Sequence, residues 1–302
     1  METVTLNNGV KMPKAGFGVF QVKDEEECTR SVLDAIDAGY RLIDTAQSYG
    51  NEEAVGKAIA QTSVPREELF LTTKVWISNY GYEKAKQSVL DSLEKMGLDY
   101  IDLVLLHQPF KDYYGAYRAL EDLYKEGKIR AIGVSNFYPD RLVDLCLDAE
   151  IVPAVNQIEV NVFHQQIDAQ KWNEKYGVNV EAWAPFAEGR NNMFSNPVLQ
   201  EIGDQYHKSI AQVILRWLVQ RNIVPLAKSV KKERMEQNID IFDFELSGED
   251  MKKIEALDEK TSSFFSHYDP ATVEMICGLK RCKHCSSMAA RTRTAAHSQR
   301  SA

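Results

Sequence analysis

The sequence predicts a (β/α)8 barrel of the TIM type, and three observations carry that prediction. Short apolar runs begin near residues 16, 41, 69, 101, 130, 154, 178 and 222, and an amphipathic stretch follows each. Eight such units in about 250 residues match one barrel of this kind. The runs are continuously apolar, as parallel strands buried on both faces are. No linker separates two halves, and a doubly wound open sheet, the second choice, would not need eight units.

Taken in order, residues 3–13 (TVTLNNGVKMP) alternate around Asn8-Gly9 and predict a β-hairpin ahead of the repeat units. Residues 16–20 (GFGVF) read as the first strand. They are not a dinucleotide fingerprint, because position 21 of a GxGxxG is Gln21. A helix with Val32, Leu33 and Ile36 on one face ends at Gly39. Strand 41–43 leads to helix 51–60, with Asn51 as its N-cap and Glu52 and Glu53 in its first turn. Strand 69–74 precedes helix 82–96, and strand 101–106 precedes helix 114–126, closed by Gly127. Strand 130–134 precedes helix 139–148, and strand 154–158 precedes helix 166–176, closed by Gly177. Strand 178–182 runs through a loop to helix 209–221. Strand 222–226 and helices 231–239 and 247–256 complete the set. Residues 1–280 are thus expected to form one barrel domain. Residues 281–302 are basic, small and without periodicity, and read as a disordered tail.

The net charge of −8 and the lack of a basic stripe with interleaved aromatics argue against nucleic acid as a partner. No apolar run is long enough to span a bilayer, and the polar N-terminus lacks a signal-peptide core. The five cysteines are an odd number, and Cys28 and Cys146 fall in helical patterns as buried thiols. A reducing, cytoplasmic setting fits better than a disulfide framework. Cys282, His284 and Cys285 are poorly spaced for tetrahedral zinc, so no metal is expected.

In strand–helix barrels the chemistry gathers at the C-terminal tips of the strands. Asp44 stands at one such tip, with Tyr49 five residues on in the next loop. Lys74 closes the apolar run 69–74 and needs a partner, which Asp44 offers from the neighbouring strand. His107 ends the run 101–106. A phenol ordinarily titrates near 10, and a nearby ammonium lowers that value. Asp44 would hold Lys74, Lys74 would tune Tyr49, and His107 would orient a carbonyl beside it. Tyr49 becomes a general acid for a carbonyl oxygen.

The stretch 39–56 (GYRLIDTAQSYGNEEAVG) resembles the first signature of the aldo-keto reductases, with Gly39, Tyr40, Arg41, Asp44, Thr45, Ala46, Glu52 and Gly56 in place. Residues 128–137 (KIRAIGVSNF) resemble the second, and Asp44, Tyr49, Lys74 and His107 match the family's tetrad. The likeness runs over roughly residues 1–280, and the chain is similar to the bacterial and protozoal group that includes 2,5-diketo-gluconate reductases, glyoxal reductases and prostaglandin F synthase-like enzymes. It implies NADPH-dependent reduction of aldehydes and ketones, with hydride from the nicotinamide and a proton from Tyr49.

The resemblance also implies that Ser135, Asn136 and Gln157 bind the nicotinamide carboxamide. Trp183 stacks on its ring, where the family usually has tyrosine. Lys228, Ser229 and Arg234 would hold the 2′-phosphate, and Gln237 and Asn238 the adenine. It places a C-terminal segment over the barrel mouth. Phe20, Trp76, His107 and Phe110 are the expected pocket walls, joined by Phe264, Phe265, His267 and Tyr268. The loop 187–195 reads as too short for a large clamp over the cofactor. The expected partner is a small carbonyl compound, with the chain acting as a monomer. Two alternatives stand beside this reading: an NADPH-binding, non-catalytic regulator on the same fold, and a lyase using Lys74 as a Schiff-base nucleophile.

Overall fold

The computed structural model describes residues 2–279. Strands β3 (Gly16–Gly18), β4 (Leu42–Asp44), β5 (Phe70–Val75), β6 (Ile101–Leu106), β7 (Ile129–Ser135), β8 (Val155–Glu159), β9 (Asn179–Trp183) and β10 (Ile223–Ala227) form a closed barrel, in which β10 pairs with β3. Every pairing around the ring is parallel. The barrel is the eight-unit fold that the apolar runs predict. The first strand is shorter than expected, and residues 19–20 belong to the loop that follows it.

Ahead of the barrel, β1 (Thr3–Thr5) and β2 (Lys11–Pro13) pair antiparallel around a turn in which Gly9 takes a φ of +85°. The turn is wider than a two-residue hairpin: Leu6 N donates to Val10 O at 2.8 Å, and Asn8 Oδ1 accepts from Val10 N. The hairpin buries Leu6 and Met12 against Leu42, Phe70, Leu103, Val155, Val224 and Leu226, which fill the barrel interior. It therefore closes the floor of the barrel. Gly133 shows how tight that interior is. A Cβ there would meet Val155 O at 2.5 Å, so the backbone approach requires glycine.

The outer layer is built from α1 (Glu25–Asp37), α2 (Glu52–Gln61), α3 (Tyr82–Met96), α4 (Tyr113–Lys125), α5 (Pro139–Asp148), α6 (Ile167–Lys175), α7 (Pro197–Tyr206), α8 (Ile210–Gln220), α9 (Lys232–Ile239), α10 (Gly248–Glu255) and α11 (Pro270–Gly278). Their apolar faces pack on the strands in three large clusters. Helices α7 and α11 are not among the elements read from sequence. Each begins with an acceptor side chain followed by proline: Asn196 caps α7 and Asp269 caps α11. Asn51 precedes α2 but does not cap it, because its side chain is used elsewhere. Among the described residues, no helix is long and apolar enough to cross a membrane. Cys28 and Cys146 are buried in α1 and α5, and burial pushes both thiols up to about 11.

After α10 the chain crosses the open end of the barrel. Ser262 Oγ and Ser263 N donate to Glu159 at 2.5 and 2.9 Å, and His267 Nε2 lies 2.9 Å from Gln108 Oε1. The C-terminal segment thus lies over the strand tips, as expected. The sequence stretch read as a tail, with Cys282, His284 and Cys285, lies outside the described residues.

Candidate active site

The four residues singled out at the strand tips come together. Lys74 is fully buried at the end of β5, and its ammonium donates to Asp44 Oδ1 at 2.6 Å, Thr45 O at 2.9 Å and Tyr49 Oη at 3.3 Å. An ammonium has three donors, so all are matched. Burial alone would lower the Lys74 pKa, but Asp44 and Tyr49 outweigh it and raise the value, so the charge is held. His107 lies edge-on to Tyr49, with ring centroids 5.8 Å apart. Burial first, then Lys74 and His267, hold its pKa well below 6.5, which makes it a neutral imidazole. Its Nδ1 lies 3.4 Å from Ser48 Oγ.

One expectation is corrected. Lys74 does pull the Tyr49 pKa down, but burial is the larger effect and the net direction is up.

The loop that carries Tyr49 is fixed by residues whose role sequence reasoning missed. Gln47 Nε2 donates to Ser88 and Ser92 on α3, and Gln47 Oε1 accepts from Trp76 N and Asn79 Nδ2. Asn51 accepts from Thr45 Oγ1 and donates to Val19 O and Val22 O. Glu52 is buried and accepts from Thr73 Oγ1 at 2.7 Å. A turn of polar side chains between a strand and a helix was the available signal.

The next sector of the rim is a polar layer. Asn136 takes a φ of +64°, a left-handed turn that asparagine tolerates, and donates to His107 O and Ser135 Oγ. Its Oδ1 accepts from Trp183 Nε1 at 2.9 Å, while Ser135 Oγ donates to Gln157 O. Gln157 Nε2 reaches Asp44 Oδ2 at 2.9 Å and Glu181 Oε2 at 3.0 Å. The Trp183 ring is half-buried, 5.3 Å from Phe264. Glu181 was not singled out in the sequence. A carboxyl inside the apolar run 178–182 was the signal, on the same reasoning that picked out Lys74.

Lys228 and Arg234 are exposed at the tip of β10 and the first turn of α9. Neither pairs with a carboxylate among the described residues, whereas Lys232 pairs with Asp34 and Asp37 of α1. Ser229 is buried, and its Oγ accepts from Lys231 N at 3.0 Å. On α9, Gln237 is exposed and Asn238 buried. Two exposed cations without a carboxylate partner among the described residues, at the tip of β10 and the start of α9, fit an anionic group such as a phosphate.

The aromatic residues expected as pocket walls have ring neighbours at the rim. Phe20 packs 4.9 Å from Tyr49, Trp76 lies edge-on 5.1 Å from His107, and Phe110 stacks 5.9 Å from His267. The segment 187–195 is more structured than a short polar loop. Ala187 and Met193 are fully buried in the core, Arg190 donates to Ser263 O, and its guanidinium covers Phe264. Gln21 Nε2 meets Glu188 Oε1 at 3.2 Å, which ties this loop to the one after β3.

Residues 14–259 match the Aldo/keto reductase family. The chain belongs to the aldo/keto reductases. Glyoxal reductase of Bacillus subtilis is 51% identical over 259 residues, spanning 85% of this chain and 93% of that protein. A 9,11-endoperoxide prostaglandin H2 reductase of Trypanosoma cruzi is 44% identical over 258 residues, with 85% and 91% covered. An aldo-keto reductase of Bombyx mori, solved in complex with NADP, superposes with a TM-score of 0.83 at 34% identity, covering 87% of this chain and 94% of that one. This aldo/keto reductase is accordingly an oxidoreductase.

Proposed function

We propose that the protein reduces small aldehydes and ketones with NADPH, and that Tyr49 delivers the proton. The observation that carries this is the saturation of Lys74: its three donors go to Asp44, Thr45 and Tyr49 Oη. Because Tyr49 oxygen accepts from Lys74, its own O–H is free to donate outward. A carbonyl oxygen seated there receives one hydrogen bond from Tyr49. It receives a second from His107 Nε2–H when Nδ1 accepts from Ser48. Bound NADPH supplies the hydride to the carbonyl carbon. As negative charge builds on the oxygen, Tyr49 releases its proton to it, and the phenolate left behind faces the Lys74 ammonium. Asp44 keeps that ammonium charged and in place.

The remaining residues bind and orient. Ser135, Asn136 and Gln157 present amide and hydroxyl groups for the carboxamide, and Trp183 an aromatic face. Lys228, Ser229 and Arg234 would hold the 2′-phosphate, with Gln237 and Asn238 by the adenine. Phe20, Trp76 and Phe110 form apolar walls around the carbonyl. The glyoxal reductase relative favours small dicarbonyls as the substrate class. The barrel acts as one domain and as a monomer.

The test is the loss of reduced-nicotinamide absorbance with a glyoxal, an aromatic aldehyde, a quinone and a keto-sugar, using NADPH and NADH in parallel. Turnover that prefers NADPH and collapses in Tyr49→Phe is expected. Tight NADPH binding with no turnover across the panel would favour a non-catalytic regulator. Borohydride trapping of a lysine adduct would favour a lyase.

A further inference from the structure

Glu181 is fully buried in the middle of β9, inside the barrel. Its Oε2 accepts from Gln157 Nε2, and its Oε1 has no partner. The same Gln157 nitrogen donates to Asp44 Oδ2, so one amide bridges two carboxyl groups. Two carboxylates that share a site do not both ionise readily. Asp44 has the Lys74 ammonium at 2.6 Å, whereas no cation pairs with Glu181 among the described residues. The charge therefore belongs on Asp44 and the proton on Glu181.

The other groups around Glu181 do not change that assignment. Lys74 and Asp44 are the charged side chains that act on it. Strand β10, on one side, carries no titratable residue. On β8, Glu159 is engaged by Ser262, Ser263 and Asn161. Burial first, then Asp44, pushes the Glu181 carboxyl up to about 8.

We propose that Glu181 is a positioning residue, an un-ionised carboxylic acid that fixes the amide of Gln157. Asp44, as an ionised carboxylate, only accepts, so the nitrogen of Gln157 must face it. Glu181 takes the second N–H. The Gln157 carbonyl oxygen, which accepts no hydrogen bond among the described residues, is left as the acceptor for an incoming N–H. Its role toward a nicotinamide amide rests on the function proposed above; the proton on Glu181 does not.

An acid raised in the folded state loses stability as pH climbs from its ordinary value to its folded one. Glu181→Gln keeps the shape and cannot ionise. Melting of the cofactor-free wild type and Glu181→Gln, followed from pH 5 to pH 9, should show a gap favouring the variant that opens up to about pH 8 and then stays constant. A gap independent of pH would overturn the neutral acid. NADPH affinity, read by quenching of protein fluorescence, should be about tenfold weaker in Glu181→Leu than in Glu181→Gln, since Leu leaves a buried N–H unmatched. Equal affinities in the two variants would overturn the positioning role. If Glu181→Leu does not fold, Glu181→Met, which likewise offers no oxygen to the amide, is titrated with NADPH in its place. If the wild type binds no NADPH, the proposed function fails while the melting test still reads the proton.

Discussion

The two ends of the barrel mouth are built on opposite plans. Around Lys74, each of the three ammonium donors has its acceptor, Lys74 and Asp44 are buried, and the Tyr49 loop is pinned by further side chains such as Gln47 and Asn51. Around Lys228 and Arg234, the cations are exposed and unpaired among the described residues. The first end carries its own counter-charge and is organised before anything binds. The second has no counter-charge of its own among the described residues. The fixed geometry that chemistry needs is found at the first end, and uncompensated positive charge at the second.

The largest effect should come from breaking the organised end. Tyr49→Phe is expected to lower kcat by ~10²–10⁴, with NADPH affinity within a few-fold, as measured by steady-state kinetics and fluorescence titration. Lys74→Met should match that loss and also weaken the fold by about 3–5 kcal/mol, because it leaves the buried Asp44 without its counter-charge. Chemical denaturation would read this, and unchanged stability would mean that Asp44 is not charged there. At the open end, Arg234→Ala should weaken NADPH by about 10–100-fold and leave NADH nearly unchanged. Equal losses for both cofactors would place the phosphate elsewhere.

Two smaller effects sharpen the contrast through the C-terminal segment. Burial holds the His267 imidazole down at about 4. The unfolded chain then takes up a proton near 6.5 that the folded chain refuses. Stability is full above that pH and is lost as pH falls toward 4, by about 3 kcal/mol. His267→Gln should flatten this acid limb in melting curves. Ser262→Ala removes one tie to Glu159 and should raise KM for bulky carbonyls by a few-fold, with small aldehydes unaffected.

The sequence made the barrel legible because buried parallel strands are continuous apolar runs that need no partner to be recognised. It also made the Asp44–Lys74 pair legible, because a lysine ending such a run must be compensated. Glu181 raises the same question and was passed over, since it lies within its run rather than at its tip. Helices α7 and α11 escaped because their apolar periodicity is short, though Asn196-Pro197 and Asp269-Pro270 mark both starts. The direction of the Tyr49 shift was not legible at all. It depends on how much burial opposes Lys74, and only packing decides that.

The hairpin under the barrel makes its two ends unlike. Leu6 and Met12 seal the floor against the side chains that fill the barrel, so the plug they form offers no polar side chain to a ligand. Strand tips and floor thus divide the work of the barrel: one end holds the polar groups around Lys74 and the other closes the core.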